Sequence, residues 1–136
     1  MADSVIINKA ASIERCLQRI AEDYIGHETA FETEFMRQDA VLLNLQRACE
    51  QSIDLANHLV KLKALGAPQS TRDAFALLEK AGLIDAALGQ TMGHMVGFRN
   101  IAVHEYARLN LNVVRAIIEK HLEDFRRFTA IALSFA

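Results

Sequence analysis

Apolar residues recur every three or four positions along most of the chain, which is the spacing of one helix face. A first stripe covers residues 5–24 and ends near Gly26, and a second runs over about residues 35–65. Gly66 and Pro68 stop the second stripe, because glycine suits a helix C-terminus and proline cannot continue a helix. The pattern predicts two long helices in the first half of the chain.

The second half of the chain carries three further helical patterns. They are a short helix capped by Ser70 or Thr71 and ended by Gly82, a helix from near Ile84 toward Tyr106, and a last helix over about residues 111–133 capped by Asn110. The alternation typical of strands is missing throughout. The predicted fold is all-α, an up-and-down bundle of four long helices and one short helix in a single domain, residues 1–136.

Composition indicates an ordinary soluble globular protein, with 51% apolar and 24% charged residues. No stretch of about 18 uncharged apolar residues is present, so no membrane span is expected. The N-terminus lacks the basic and apolar regions of a secretory signal. Cys16 and Cys49 are too few and too far apart for a disulfide framework, and we interpret them as core residues of a cytoplasmic protein.

Charge is small in total but uneven along the chain. The net charge of −2 argues against strong non-specific binding of nucleic acid, which needs a concentrated basic surface. Residues 22–39 hold six acidic side chains against one arginine, whereas residues 99–127 hold six basic against four acidic ones. The C-terminal part is the better phosphate binder, and the acidic part suits a basic partner. Two solvated helix faces are the alternative interpretation.

Three glycines stand inside the fourth predicted helix at four-residue spacing: Gly89, Gly93 and Gly97. Each costs about 1 kcal/mol relative to alanine in a helix interior. They form a thin edge that another backbone can approach closely. Two interpretations are open, tight packing within the bundle or part of a homodimer seam. His104 follows Gly97 by seven residues, so it lies nearly in line with this edge.

The octapeptide 99–106 contains a cluster of candidate functional side chains, whereas the rest of the sequence is mainly a helical pattern. RNA carries its own nucleophile, the 2′-OH, so its cleavage needs one group that moves protons and another that stabilises the phosphate transition state. His104 suits proton transfer near neutral pH, and Arg99 can contact two phosphate oxygens. Asn100 could orient the phosphate or the histidine, and Tyr106 could bind phosphate, stack on a base or be modified. Capping and surface roles are the alternative for all four residues.

Helical geometry separates two members of this octapeptide. Arg99 and Tyr106 are seven residues apart and share a helix face, whereas Arg99 and His104 are five residues apart, about 140° around the axis. Arg99 and His104 therefore meet only if the helix breaks near His104 or if two subunits contribute one residue each. Both solutions are compatible with a site shared across a dimer interface.

Outside the octapeptide the sequence holds few candidate functional residues. Asp54 and His58 are one helical turn apart and are expected to form a polar pair within the bundle. No HExxH or CxxC motif or repeated carboxylate–histidine pair occurs, so no metal site is expected.

The residues Arg99, Asn100, His104 and Tyr106 match the motif RNxxxHxY, and on this motif the chain resembles HEPN-domain proteins, specifically the HepT-like toxins. The resemblance covers essentially the whole chain. Besides the motif it is carried by Ser12–Arg15, Ile53–Val60, Asp73–Leu78 and Gly97–Asn100, in the order that the family has them.

The resemblance implies a helical bundle that forms a homodimer, with the motifs facing each other across the interface. It implies a metal-independent ribonuclease without cofactor, the toxin of a type VII toxin–antitoxin pair, in which Arg99 and His104 are catalytic and Asn100 supports them. It also implies a partner, the MNT nucleotidyltransferase antitoxin, which silences the toxin by transferring AMP from ATP to Tyr106. A phosphate there would place negative charge beside Arg99 and obstruct RNA.

A second hypothesis comes from a different class of function. On this hypothesis the chain is a non-catalytic helical subunit that binds nucleotide or presents a nucleotidyltransferase to its substrate. Slight net acidity and the lack of a broad basic surface favour this alternative.

Overall fold

The computed structural model describes residues 2–136, and these residues form seven α-helices and one 3-10 turn. The elements are α1 (Ser4–Tyr24), α2 (Glu28–Phe31), α3 (Phe35–Leu62), α4 (Asp73–Lys80), α5 (Ala86–His104), the 3-10 turn (Tyr106–Arg108), α6 (Leu111–Lys120) and α7 (Leu122–Leu133). Within residues 2–136 no helix combines the length and the apolar character that a membrane crossing requires.

Neighbouring long helices run antiparallel, as the side-chain pairs between them establish. Lys9 on α1 pairs with Asp54 late in α3 at 3.2 Å, whereas Arg37 early in α3 donates to the backbone oxygen of Asp23 late in α1 at 2.8 Å. The corresponding pairs are Arg99–Glu50 and Tyr106–Asp39 along α5 and α3, and Arg126–Glu14 and Arg115–Tyr24 between the last helices and α1. The predicted all-α, up-and-down bundle is therefore confirmed.

One hydrophobic cluster runs through the bundle and takes side chains from all of the long helices. On α1 the buried positions recur at helical spacing, and Ile13, Leu17 and Ile20 are inaccessible to solvent. Phe75 of the short α4 packs edge to face against Phe128 of α7, with 5.4 Å between ring centroids. Full burial of such a side chain contributes about 1.5–3 kcal/mol, so this stripe and the aromatic pair hold the helices together.

Both cysteines belong to this core, as predicted. Cys16 and Cys49 are buried and free. Burial raises the pKa of the Cys49 thiol, because the low-dielectric interior disfavours the thiolate. Cys49 is therefore a packing residue rather than a reactive one.

Polar side chains fix the starts of three helices. The Asp3 carboxylate accepts two backbone N–H groups of the first turn of α1, and Asp85 accepts the N–H of Leu88 at the start of α5. Asn110 accepts the N–H of Asn112 at 2.8 Å, which confirms the predicted cap of α6. Each cap satisfies donors that have no partner inside the helix.

The prediction that His58 pairs with Asp54 is wrong. The His58 Nε2 atom lies 2.7 Å from the carboxylate of Asp3, and Asp54 is taken by Lys9. Two residues one turn apart can pair on a helix surface, but here the neighbouring helix α1 supplies the partner of each. The His58–Asp3 contact ties the start of α1 to the late part of α3.

The last helix differs from its prediction because it is broken at His121. Its backbone, at φ −124° and ψ 0°, lies outside the helical region and separates α6 from α7. The Nδ1 atom of His121 lies 2.9 Å from Asp124 in the first turn of α7. The apolar spacing continues across the break, from Ile118 to Leu122 and Phe125, so the sequence pattern indicated one continuous helix.

A short helix, α2, was not predicted, because four residues are too few for a periodic pattern. It buries Phe31, which packs edge to face on Tyr24 with 5.3 Å between ring centroids. Arg115 of α6 lies over both rings, donates to the backbone oxygen of Glu28 and pairs with Glu32 at 3.1 Å. Part of the acidic segment 22–39 is therefore neutralised inside the chain.

Candidate active site

The octapeptide 99–106 crosses the end of α5. The helix stops at His104, where Glu105 leaves the helical region at φ −140° and ψ 48°. Tyr106 then opens the 3-10 turn, which Arg108 closes by donating its N–H to the backbone oxygen of Glu105 at 2.8 Å. Arg99 and His104 stand on a continuous helix, whereas Tyr106 stands on a separate piece of backbone.

Arg99 is half-buried against α3, where a carboxylate faces it. Its Nε lies 3.6 Å from Glu50 Oε1, which is close enough for an ion pair but too long for a hydrogen bond, and this Nε has no hydrogen-bond partner within residues 2–136. Gln46 donates to the same Glu50 oxygen at 3.0 Å. On the other side, Arg99 Nη1 donates to Asn100 Oδ1 at 3.3 Å. The guanidinium is thus held loosely between two acceptors.

A small cavity lies beside Arg99, where two carboxylates accompany the guanidinium. A cavity of about 220 Å³ borders its side chain and is also lined by Glu50, Ile53, Asp54 and Thr71. An arginine that keeps N–H donors free beside a cavity is suited to a phosphate oxygen pair.

Tyr106 also faces α3, but at the opposite end of the same interface. Its hydroxyl donates to Asp39 Oδ1 at 2.7 Å, and half of its surface is exposed. The hydrogen bond to the Asp39 carboxylate raises the pKa of the Tyr106 phenol to about 12, with a smaller contribution from burial. Leu43 and Ala102 line the shallow cavity beside the ring.

Asp39 and Glu50 were not identified from the sequence as partners of the motif. They are eleven residues apart, about three helical turns, so both lie on the face of α3 that meets α5. The available signal was the spacing of two acidic side chains on one face of α3. Their partners, 67 and 49 residues away along the chain, could be assigned only from the tertiary structure.

His104 and Asn100 are exposed, and the structure does not bring Arg99 and His104 together within one chain. Five residues on a regular helix set them about 140° apart. Beside His104, the apolar side chains of Ile101 and Val103 are 41% and 40% exposed. Val113 at the start of α6 is 50% exposed. Ile101 and Val113 thus leave an open apolar surface between the end of α5 and the start of α6, and Val103 is exposed on another side of α5.

A groove between α5 and α6 continues this open surface. It encloses about 490 Å³ and has an apolar floor that includes Phe98, Ile101, Val113 and Ile117, with Arg108 at its edge. The groove lies beside the octapeptide but does not include Arg99 or His104.

The glycine edge of α5 is occupied by side chains from the same chain. A Cβ on Gly89 would clash with the carboxylate oxygen of Glu79, and one on Gly97 would lie 3.1 Å from Nη2 of Arg72. Arg72 also donates to the backbone oxygen of Gly93 at 3.0 Å. Of the two interpretations of this edge, these contacts favour packing within the bundle.

Comparison with known proteins gives one consistent family. The model of the family described as "Ribonuclease HepT-like" matches residues 11–131. A protein of Shewanella oneidensis described as "mRNA nuclease HepT" is 49% identical over 126 residues, which covers 93% of this chain and 94% of that protein.

Solved structures give the same family. A tri-AMPylated Shewanella oneidensis HEPN toxin in complex with an MNT antitoxin superposes with a TM-score of 0.90 at 48% identity, and the match covers 95% of this chain and 96% of that one. A toxin–antitoxin structure with AMP-PNP superposes with a TM-score of 0.91 at 47% identity, covering 95% and 97%.

Proposed function

The chain belongs to the HepT-like ribonuclease family, and on this premise we propose that it is a metal-independent endoribonuclease, the toxin of a toxin–antitoxin pair. One observation carries the proposal. An arginine held loosely by Glu50 and Asn100 borders a cavity on one side of α5, and an exposed histidine ends the same helix. These are the two groups that RNA cleavage by its own 2′-OH requires.

In the proposed reaction the 2′-OH attacks the adjacent phosphorus and the 5′-oxygen leaves. His104 moves a proton at one of these oxygens, and Arg99 stabilises the charge on the non-bridging phosphate oxygens. Asn100 fixes the guanidinium through the hydrogen bond at 3.3 Å. Glu50 faces the guanidinium at Nε, so it orients the arginine from that side and leaves the Nη atoms for the phosphate oxygens.

The proposed site is composite and needs two copies of the chain. Arg99 and His104 face different ways on one helix, so the arginine of one copy acts with the histidine of another. The half-exposed apolar side chains Ile101 on α5 and Val113 on α6, which line one groove, support an interface at this surface. Val113→Asp is expected to shift the protein to monomer in sedimentation and to lower RNA cleavage in parallel. An unchanged dimer would place the interface elsewhere.

The proposed partner is a nucleotidyltransferase of the MNT type that attaches AMP to Tyr106. The related Shewanella toxin is AMPylated and was solved with its MNT antitoxin. In this chain half of the Tyr106 surface is exposed, at the same helix interface as Arg99. Added phosphate there brings negative charge toward the arginine and the RNA path, which supports a role as an off-switch.

The nuclease assignment is tested with the purified chain, a mixed RNA pool and a chelator. His104→Ala and Arg99→Ala are expected to lose about 10²–10⁴-fold of the cleavage rate. His27→Ala is the matched control, since His27 is an exposed histidine outside α5 and the groove. If the wild type binds nucleotide yet leaves RNA intact, the alternative, a non-catalytic nucleotide-binding subunit, replaces this proposal.

The modification is tested by intact mass after incubation with the nucleotidyltransferase and ATP. Each AMP is expected to add about 329 Da. The chain has two tyrosines, so Tyr106→Phe should abolish the gain and Tyr24→Phe should retain it. A gain that persists in Tyr106→Phe would move the modification to another residue.

A further inference from the structure

The hydroxyl of Tyr106 already has a proton acceptor in place. Asp39 is an exposed carboxylate on α3, 67 residues away in sequence, and its Oδ1 lies 2.7 Å from the phenolic oxygen. Tyr106 is half exposed, so one side of the hydroxyl can meet a reactant while the other side stays bonded to Asp39. The pair lies at the opposite end of the α3–α5 interface from the Arg99–Glu50 pair, and Tyr106 follows His104 by two residues.

We propose that Asp39 is the proton acceptor for AMP transfer to Tyr106, so that the toxin itself supplies the base for its own silencing. This inference rests on the proposed modification of Tyr106. As the Tyr106 oxygen bonds to the α-phosphorus of ATP, the O–H bond breaks and the proton passes to Asp39. The bond from that phosphorus to the β-phosphate bridging oxygen breaks at the same time, and pyrophosphate leaves.

The ionisation of the phenol explains why a base is needed. With a pKa of about 12, only about one Tyr106 in 10⁵ is ionised at pH 7. A preformed phenolate is therefore too scarce to carry the reaction, and the proton must leave during attack. A carboxylate at hydrogen-bond distance is positioned to take it and contributes about 10²–10⁴-fold in such steps.

The other charged or titratable groups at this interface have their own contacts or lie further along it. They are His104 at the end of α5, the Glu105–Arg108 pair at 2.7 Å around the turn, and the Arg99–Glu50 pair between α5 and α3. Asp39 is the acceptor that contacts the phenol.

The test uses the purified chain, the nucleotidyltransferase and Mg-ATP, with the first AMP transfer timed by intact mass from pH 6.5 to 9.5. Asp39→Asn is expected to lower kcat for the first transfer about 10²-fold at pH 7 with little change in KM. Without the carboxylate the phenol pKa returns toward 10. The difference in kcat for the first transfer between the variant and the wild type should therefore become smaller as pH rises.

Two features separate a base from a docking residue. A later AMP that is added to the ribose of the first one uses no phenol, so its rate in Asp39→Asn should match the wild type. Glu34→Gln, which removes an exposed acidic charge at the start of the same helix, should transfer normally. Circular dichroism and unmodified RNA cleavage should show that Asp39→Asn folds and functions.

The outcomes distinguish the two proposals. A wild-type chain that gains no mass would remove the proposed modification itself. A wild type that is modified, together with an Asp39→Asn variant that is modified equally fast at pH 7, would overturn only the role of Asp39. A deficit that is the same at every pH, or that appears only in KM, would also overturn it.

Discussion

The α1–α3 pair and the α5–α6 pair are built from similar helices but treat their apolar residues differently. On α1 the stripe with Ile13 and Leu17 is sealed, and polar side chains pin the helix to α3 at both ends. Along the end of α5 and the start of α6, Ile101 and Val113 stay near half exposed over a groove of about 490 Å³. The difference teaches that the α1–α3 contact is closed by side chains of this chain, whereas the α5–α6 surface leaves apolar side chains uncovered within residues 2–136.

The largest expected effect comes from breaking the sealed side. Leu17→Ala should lower the free energy of unfolding by about 2–5 kcal/mol, because it removes apolar contacts and leaves a cavity. Ile101→Ala on the open side is the matched control and should change it by about 0.5 kcal/mol or less. Urea denaturation followed by circular dichroism measures both. Equal losses would mean that the two regions do not differ in this way.

A smaller change is expected at the glycine edge. Gly93→Ala should raise the free energy of unfolding by up to about 1 kcal/mol, because alanine is the better helix former. The new Cβ would lie 3.5 Å from Nε of Arg72, an ordinary contact. If the edge were a dimer seam instead, the same variant would weaken association. Thermal unfolding and sedimentation on one sample distinguish the two results.

A smaller effect is expected from changing Glu50, the carboxylate that faces Arg99. Glu50→Gln should reduce RNA cleavage about two- to fivefold, because partly exposed ion pairs contribute about 0.2–1 kcal/mol. Glu22→Gln, an exposed change on α1, is the control. Initial rates on one RNA substrate provide the measurement. A faster Glu50→Gln enzyme would mean that the carboxylate restrains the arginine rather than positions it.

The smallest expected effect depends on pH and concerns the pin between α1 and α3. The hydrogen bond to His58, followed by backbone N–H groups, lowers the pKa of Asp3 in the folded state. A lowered carboxyl pKa stabilises the fold at neutral pH, and this stability is lost as pH falls through the folded pKa, below about pH 4.

Asp3→Asn isolates this charge, because asparagine caps a helix as well as aspartate does. Its melting temperature should lie slightly below that of the wild type at pH 7, and the two should converge in acid. If the difference in melting temperature persists at pH 2.5, capping geometry rather than charge is its cause.

Local features of the fold could be predicted from the sequence, and long-range pairs could not. The α1 stripe and the Asn110 cap depend on residues within a turn or two, so the periodic pattern contains them. The break at His121 sits inside an unbroken apolar pattern, which conceals it. The bond between Asp39 and Tyr106 depends on how α3 and the end of α5 pack, and no spacing rule reaches across 67 residues.

The candidate site shows the same division between local features and long-range pairs. Arg99, Asn100, His104 and Tyr106 stand together in the sequence, and the helical pitch alone separates the arginine from the histidine. Their acidic neighbours on α3 could be assigned only from the tertiary structure.

The position of Tyr106 on its own short turn, after α5 has ended, has a consequence for recovery from silencing. Its hydroxyl points to an exposed carboxylate and not into the core, so an attached nucleotide displaces no buried side chain. A silenced molecule would therefore remain a finished, folded one. A cell that removes the nucleotide would regain the active enzyme without new protein synthesis. The modified molecules would therefore act as a store of inactive protein.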